Sequence, residues 1–298
     1  MRTYGARFDV NCSILFAELP VEQRAAGAAK AGFAGVEFWW PWEAMVPPDA
    51  EADAFVESIA AAGVELVSMN FHTGDMAAGE RGIVSHPARV GEFRENVSAA
   101  VELARRAGCT LLNAPYGVRV PGVDVAEQEA VAIENLAFAA GEAAKAGVSV
   151  LVEAINSADI PGFPVDTSGK ALAVIDAVNR RLADEATRAS APEGPGVASD
   201  GRAEVAGETG HRARIGLLAD LYHLARMGED VADVLSRHRE SILHVQVADV
   251  PGRGAPGTGT LEFEPLLKQL AGQGYGGWVG LEYVPSDPAD SAASFGWL

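Results

Sequence analysis

Residues 144–153 read Ala-Lys-Ala-Gly-Val-Ser-Val-Leu-Val-Glu: the tail of an Ala-rich helix, a glycine, and a run apolar on both faces. Glycine at a helix end takes the left-handed cap that other residues resist. A run apolar on both faces is what a parallel strand covered by helices presents. The phrase recurs with variation at Gly32 ahead of Val36–Trp39, at Gly63 ahead of Val64, at Gly108 ahead of Thr110 and at Gly274 ahead of Trp278.

Working outward from these repeats, strands are expected near 7–12, 36–39, 64–71, 110–115, 148–155, 215–221, 242–248 and 277–284. Helical patterns fall between them, near 20–31, 49–62, 86–107, 126–146, 168–185, 229–239 and 263–272. Eight alternating units over 298 residues predict a single (β/α)₈ TIM barrel spanning 1–298 rather than an open sheet. One segment breaks the rhythm. Residues 184–213 are rich in Gly, Pro, Ser and charge, with almost no apolar periodicity. They read as a flexible, non-catalytic insertion before strand six, at the end of the barrel opposite the active site.

Composition narrows the partners. The chain is 48% hydrophobic and 21% charged, which is ordinary for a globular protein. Its formal net charge of −18 disfavours duplex nucleic acid, which needs clustered Lys and Arg, and anionic membrane surfaces. Two cysteines, Cys12 and Cys109, do not make a disulfide framework, and a reducing cytoplasm is the expected compartment. The first residues lack the apolar core of a signal peptide, and no run reaches the roughly 20 apolar residues of a membrane span. Trp39, Trp40 and Trp42 cluster after strand two, where they wall the site, expose a face for a homo-oligomer or, as is commoner for aromatic residues in such positions, simply pack. No Gly-x-Gly-x-x-Gly follows a strand into a helix, and there is no P-loop or Gly-x-Ser-x-Gly elbow.

Functional groups of such a barrel sit at the C-terminal strand ends and in the loops that follow. Glu153, Asp220, Gln246 and Glu282 each lie deep in an apolar run, at the ends of strands five, six, seven and eight. Burying even a neutral polar group without a partner costs roughly 2–7 kcal/mol. One such residue is most simply a hydrogen-bonded core group. Four on one arc of the rim suggest that they converge on a hard divalent cation, Mg²⁺ or Mn²⁺. His223 follows Asp220 by three residues, as a substrate contact or a packed imidazole. Arg253 opens a Gly-rich loop and offers a fork for a carboxylate. The loop after strand three begins at Asn70 and carries Arg81, a second candidate contact for an anionic small molecule.

The chain resembles the hydroxypyruvate isomerases, within the xylose-isomerase-like barrel superfamily. The matching pieces are residues 11–16, 35–38, 74–82 (Gly-Asp-Met-Ala-Ala-Gly-Glu-Arg-Gly), 153–163, 220–223, 244–249, 253–259 and 277–283. The similarity extends over nearly the whole chain outside 184–213. The resemblance implies that Glu153 and Glu282 are the acid/base pair and, with Asp220 and Gln246, hold a divalent metal. Gln246 stands where many relatives in the superfamily carry His. The implied reaction is aldose–ketose isomerisation of hydroxypyruvate to tartronate semialdehyde through an enediolate. A 2-oxo-tetronate isomerase or a ketose 3-epimerase would use the same ligands. A metal phosphodiesterase would need more His ligands and a basic groove.

Overall fold

The computed structural model describes residues 4–189 and 214–298. Eight parallel strands close into one barrel in sequence order. They are β1 (Arg7–Asn11), β2 (Gly35–Phe38), β3 (Glu65–Asn70), β4 (Leu111–Asn113), β5 (Ser149–Glu153), β6 (Ile215–Asp220), β7 (Ile242–Val247) and β8 (Trp278–Leu281). Closure is made by β1 against β8, with Arg7 opposite Trp278 and Val10 opposite Leu281. Helices α1 (Val21–Lys30), α2 (Asp49–Ala62), α3 (Val90–Ala107), α4 (Val125–Lys145), α5 (Ser168–Ala189), α6 (Leu221–Arg226), α7 (Val231–Arg237) and α8 (Phe263–Gly272) occupy the connections.

The unit read first from the sequence shows why. Asp124 caps α4 by accepting hydrogen bonds from the Ala126 and Glu127 amides, at 2.9 and 3.2 Å. The helix then buries Ala132, Leu136, Ala140 and Ala143 against the sheet. Gly147 turns the chain at φ 72°, and β5 follows, buried from Val150 to Glu153. Small alanines let α4 approach the strands closely. Each Val or Leu they cover contributes about 1.5–3 kcal/mol of burial.

Several expectations shift. The helix expected over 86–107 opens with a 3₁₀ turn at Pro87–Arg89 before α3 begins. The helix expected over 229–239 is α7, and a short helix not expected from the sequence, α6, precedes it. Asp220 caps α6 directly at the strand end, and Gly228, at φ 76°, interrupts the chain before Asp230 caps α7. A closing 3₁₀ segment, Ser291–Trp297, adds to the expected elements; its Phe295 packs on Phe33 and Phe16. Residues 184–189 of the expected insertion continue α5, where Arg181 pairs with Glu185 one turn on. The rest of that insertion, 190–213, lies outside the described residues.

The tryptophans are not an exposed face. Trp40 is buried, with its ring edge-on to Trp42 at 5.0 Å, and Trp42 packs on Phe55 of α2. No described helix is long and apolar enough to cross a membrane.

The main apolar mass lies between sheet and helices, which leaves the inner face of the barrel to polar groups. Residues two apart on a strand share a face. Asp9 and Asn11 on β1, and His244 and Gln246 on β7, are such pairs, and all four are buried.

Candidate active site

The strand ends assemble the site. Glu153 ends β5 and Asp220 ends β6, while Glu282 follows β8 directly. With His223 they bring one ligand atom each to within 4.8 Å of one another, all buried. Gln246 lies opposite Asp220 in the β6–β7 register. All four oxygen-bearing residues singled out in the sequence therefore meet at one rim, and His223 joins them.

The two glutamates are held unequally. Glu282 Oε1 accepts from Asn11 Nδ2 at 2.9 Å and from Trp39 Nε1 at 2.8 Å, and its Oε2 accepts from Arg253 Nη2 at 2.6 Å. Glu153 accepts one side-chain bond, from Asn113 Nδ2 at 2.8 Å. Burial, and then the charges of Glu282 and Asp220, push Glu153 well above the usual carboxylate range. Burial raises Glu282 as well; Arg253 draws it back, leaving it at about 7.

His223 has a defined tautomer. Asn156 Oδ1 accepts from the Asp159 amide at 2.8 Å, and its Nδ2 donates to Asp159 Oδ2 at 3.0 Å. The amide orientation is thereby set, so Nδ2 also donates to His223 Nδ1, at 2.6 Å. Burial lowers the imidazole pKa to about 4, so near neutral pH the ring is uncharged. Its one hydrogen then sits on Nε2, which lies 3.6 Å from both Glu153 Oε1 and Asp220 Oδ2. As held, His223 offers the cluster a donor rather than a lone pair.

Arg253 sits at φ 54°, an unusual conformation for a side-chain-bearing residue. Its loop is organised by Asp249. That carboxylate accepts from the amides of Val250, Gly257, Gly259 and Leu261, at 2.8 to 3.0 Å. The Arg253 carbonyl is fixed by the Val284 amide at 2.7 Å, and the guanidinium lies 5.6 Å from the Tyr222 ring centre. Arg253 Nε is buried and without a partner.

These groups open on a cavity of about 90 Å³, lined by Trp39, Asn70, Thr73, Met76, Arg81, Glu153, His223, Arg253 and Glu282, among others. Asn70 and Arg81 thus line the same cavity. Arg81 gives Nη1 to the carbonyls of Met76 and Glu80, at 2.9 and 2.6 Å, and so also braces the loop that bears it.

The donor set fits a hard divalent cation. Asp220 Oδ1 is used by the Tyr222 amide at 2.8 Å, while Oδ2 is buried without a partner. Gln246 Oε1 is likewise buried and unpaired. Together with Glu153 and Glu282, these orphaned oxygens are what an oxygen-liganded ion requires. A testable consequence concerns stability. Both glutamates titrate above their unfolded values, so the metal-free protein holds extra protons and loses stability as pH rises from about 4.5 through 7. A cation must displace those protons. Calorimetric unfolding is therefore expected to show a larger rise in melting temperature on adding Mn²⁺ at pH 8 than at pH 5. An equal rise at both would contradict this.

The comparisons with known proteins agree with the geometry. A family model described as a xylose isomerase-like TIM barrel matches residues 25–183 and 193–298, which defines the class of protein. A Streptomyces coelicolor protein named "Putative hydroxypyruvate isomerase" is 47% identical over 98% of this chain and 95% of its own length. The hydroxypyruvate isomerase of Escherichia coli is 32% identical, with 98% of each chain covered. The crystal structure of AP endonuclease, family 2 from Brucella melitensis superposes with a TM-score of 0.80 at 32% identity, covering 98% of this chain and 97% of that one. The chain belongs to the hydroxypyruvate isomerase family of xylose isomerase-like barrels and is an isomerase.

Proposed function

We propose that the protein interconverts hydroxypyruvate and tartronate semialdehyde by proton transfer between Glu153 and Glu282. The observation that carries this reading is the pair itself: two buried glutamates face one small cavity, with Arg253 bound to one of them. A cavity of about 90 Å³ is far below the roughly 300–1,000 Å³ of pockets for drug-sized ligands, and favours a three- or four-carbon acid.

The unequal hydrogen bonding divides the work. A carboxylate with one donor is a stronger base than one with three. Glu153 removes the proton from the carbinol carbon, C3, and the C3–H electron pair becomes the C2–C3 double bond of an enediolate. Glu282, its pKa near 7, delivers a proton to C2. The hydroxyl proton passes from the C3 oxygen to the C2 oxygen, so the product is an isomer. Arg253 binds the substrate carboxylate with the part of its guanidinium that lines the cavity, and His223 Nε2–H donates to a substrate oxygen. A divalent cation held by Glu153, Asp220, Gln246 and Glu282 would supply Lewis-acid stabilisation of the developing charge.

The test is a panel of hydroxypyruvate, 2-oxo-tetronate and neutral ketoses, each with and without chelator. Chelator-sensitive turnover of the two acids, with hydroxypyruvate preferred, is expected. Turnover of neutral sugars alone would remove the carboxylate role of Arg253. A 2-oxo-tetronate isomerase from Cupriavidus necator, 35% identical over 98% of this chain, makes the four-carbon acid the second candidate. Nucleic-acid phosphodiester chemistry is disfavoured by the net charge of −18.

Asp249 gives an independent check on Arg253. Asp249→Ala removes the acceptor of four loop amides and should destabilise the fold by about 2–4 kcal/mol. It should raise KM for hydroxypyruvate more than it lowers kcat, because the loop that aims Arg253 loosens. Steady-state kinetics with an unchanged KM would count against that role.

A further inference from the structure

Below the rim lies a second buried polar cluster, of Asp9, Glu37 and His244, on β1, β2 and β7. Glu37 is its hinge. Its Oε1 lies 2.7 Å from His244 Nε2, and its Oε2 accepts from Gln246 Nε2 at 2.6 Å. Space for it is made on β8. A Cβ at Gly280 would collide with Glu37 Oε1 and stand 3.0 Å from Gln246 Cγ, so only glycine there leaves the contact intact. Gln246 therefore has its nitrogen committed and its oxygen buried and unpaired, and Asp220, opposite it in the β6–β7 register, has an equally unpaired Oδ2.

An amide has two different ends in nearly the same shape, and its last torsion is broad and roughly two-fold. A cation accepts only the oxygen end. A packed glutamine without further support would present its NH₂ to the ion in some fraction of molecules. The Glu37 carboxylate takes the nitrogen end, 2.6 Å from its Oε2, and this leaves the oxygen end facing away from it. We propose that Glu37 is a positioning residue that locks the Gln246 amide with its oxygen turned to the divalent cation of the site. The inference rests on the metal role given to Gln246 under the proposed function. It explains why a buried carboxylate stands in a strand otherwise apolar, and why β8 carries glycine at 280.

The experiment is isothermal titration of Mn²⁺ into the metal-free, full-length protein. Wild type, Glu37→Gln, Gln246→Glu and the double variant Glu37→Gln/Gln246→Glu are compared, with thermal unfolding of each as a control on folding. In Glu37→Gln the new amide can donate as well as accept, so Gln246 is free to take either orientation. Mn²⁺ affinity should fall about 10- to 100-fold, the usual effect of removing a group that orients a ligand. In the double variant, the carboxylate introduced at position 246 has no wrong end, and the amide introduced at position 37 donates to it. Affinity there should recover most of that 10- to 100-fold loss, the coupling expected of two side chains in contact. A purely structural Glu37 would impose the same loss in both backgrounds. Folded Glu37→Gln with wild-type affinity, or a double variant as weak as Glu37→Gln, overturns the lock. Wild type that binds no Mn²⁺ overturns the metal reading of the site itself, and the lock with it.

Discussion

Glu153→Gln should lower kcat for hydroxypyruvate by about 10³-fold or more, while the metal-free protein becomes more stable above pH 7. The kinetic loss follows from deleting the base. The stability gain follows from the environment of Glu153. It is buried, accepts a single hydrogen bond from Asn113, and faces Asp220 and Glu282, so ionising it in the absence of a cation is costly. A glutamine keeps the shape and the bond from Asn113 and removes the charge. Steady-state kinetics and calorimetry at pH 8 check both halves. Near-wild-type turnover would remove Glu153 from the base role. Lost turnover with a lower melting temperature would point to structural damage instead.

Glu282→Gln should cost comparable turnover with a smaller gain in stability. Burial raises Glu282 and Arg253 draws it back to about 7, while Glu153 is pushed well above the usual carboxylate range. Removing the Glu282 charge above pH 7 therefore relieves a smaller cost, and it also takes the partner from Arg253 and an acceptor from Asn11 and Trp39, which offsets part of that relief. The two isosteric substitutions thus separate by melting temperature at pH 8, Glu153→Gln melting higher, even though both silence the reaction. Equal shifts would contradict the unequal support of the two glutamates.

Much of this arrangement was legible in the sequence. The helix–glycine–strand phrase around Gly147 announced the barrel because Gly caps and doubly buried strands have local signatures. Glu153, Asp220, Gln246 and Glu282 stood out because each interrupts an apolar run where a strand should end. The same rule, extended to the first and fourth strands, would have found Asn11 and Asn113, which end β1 and β4 and hold the two glutamates. Other partners leave no local trace. Glu37 is one acidic residue in a short strand, and His244 and Gln246 lie 207 and 209 positions away; only barrel closure joins them. The tautomer of His223 depends on Asn156 and Asp159, in a loop whose hydrogen bonds no spacing encodes. Trp40 and Trp42 looked like a surface cluster because side-chain direction after a strand end is set by the neighbouring helix, here by Phe55 of α2.

The most direct test of the two-glutamate route is turnover of hydroxypyruvate in D₂O, followed by NMR of the first product formed. Glu153 and Glu282 are different groups, and the proton delivered by Glu282 is drawn from solvent. Tartronate semialdehyde should therefore carry deuterium at the newly formed C2–H, beyond a non-enzymatic control. Product with protium at that carbon would mean that the abstracted hydrogen itself is returned, by a hydride shift or by one carboxylate acting alone, and would contradict the two-glutamate route.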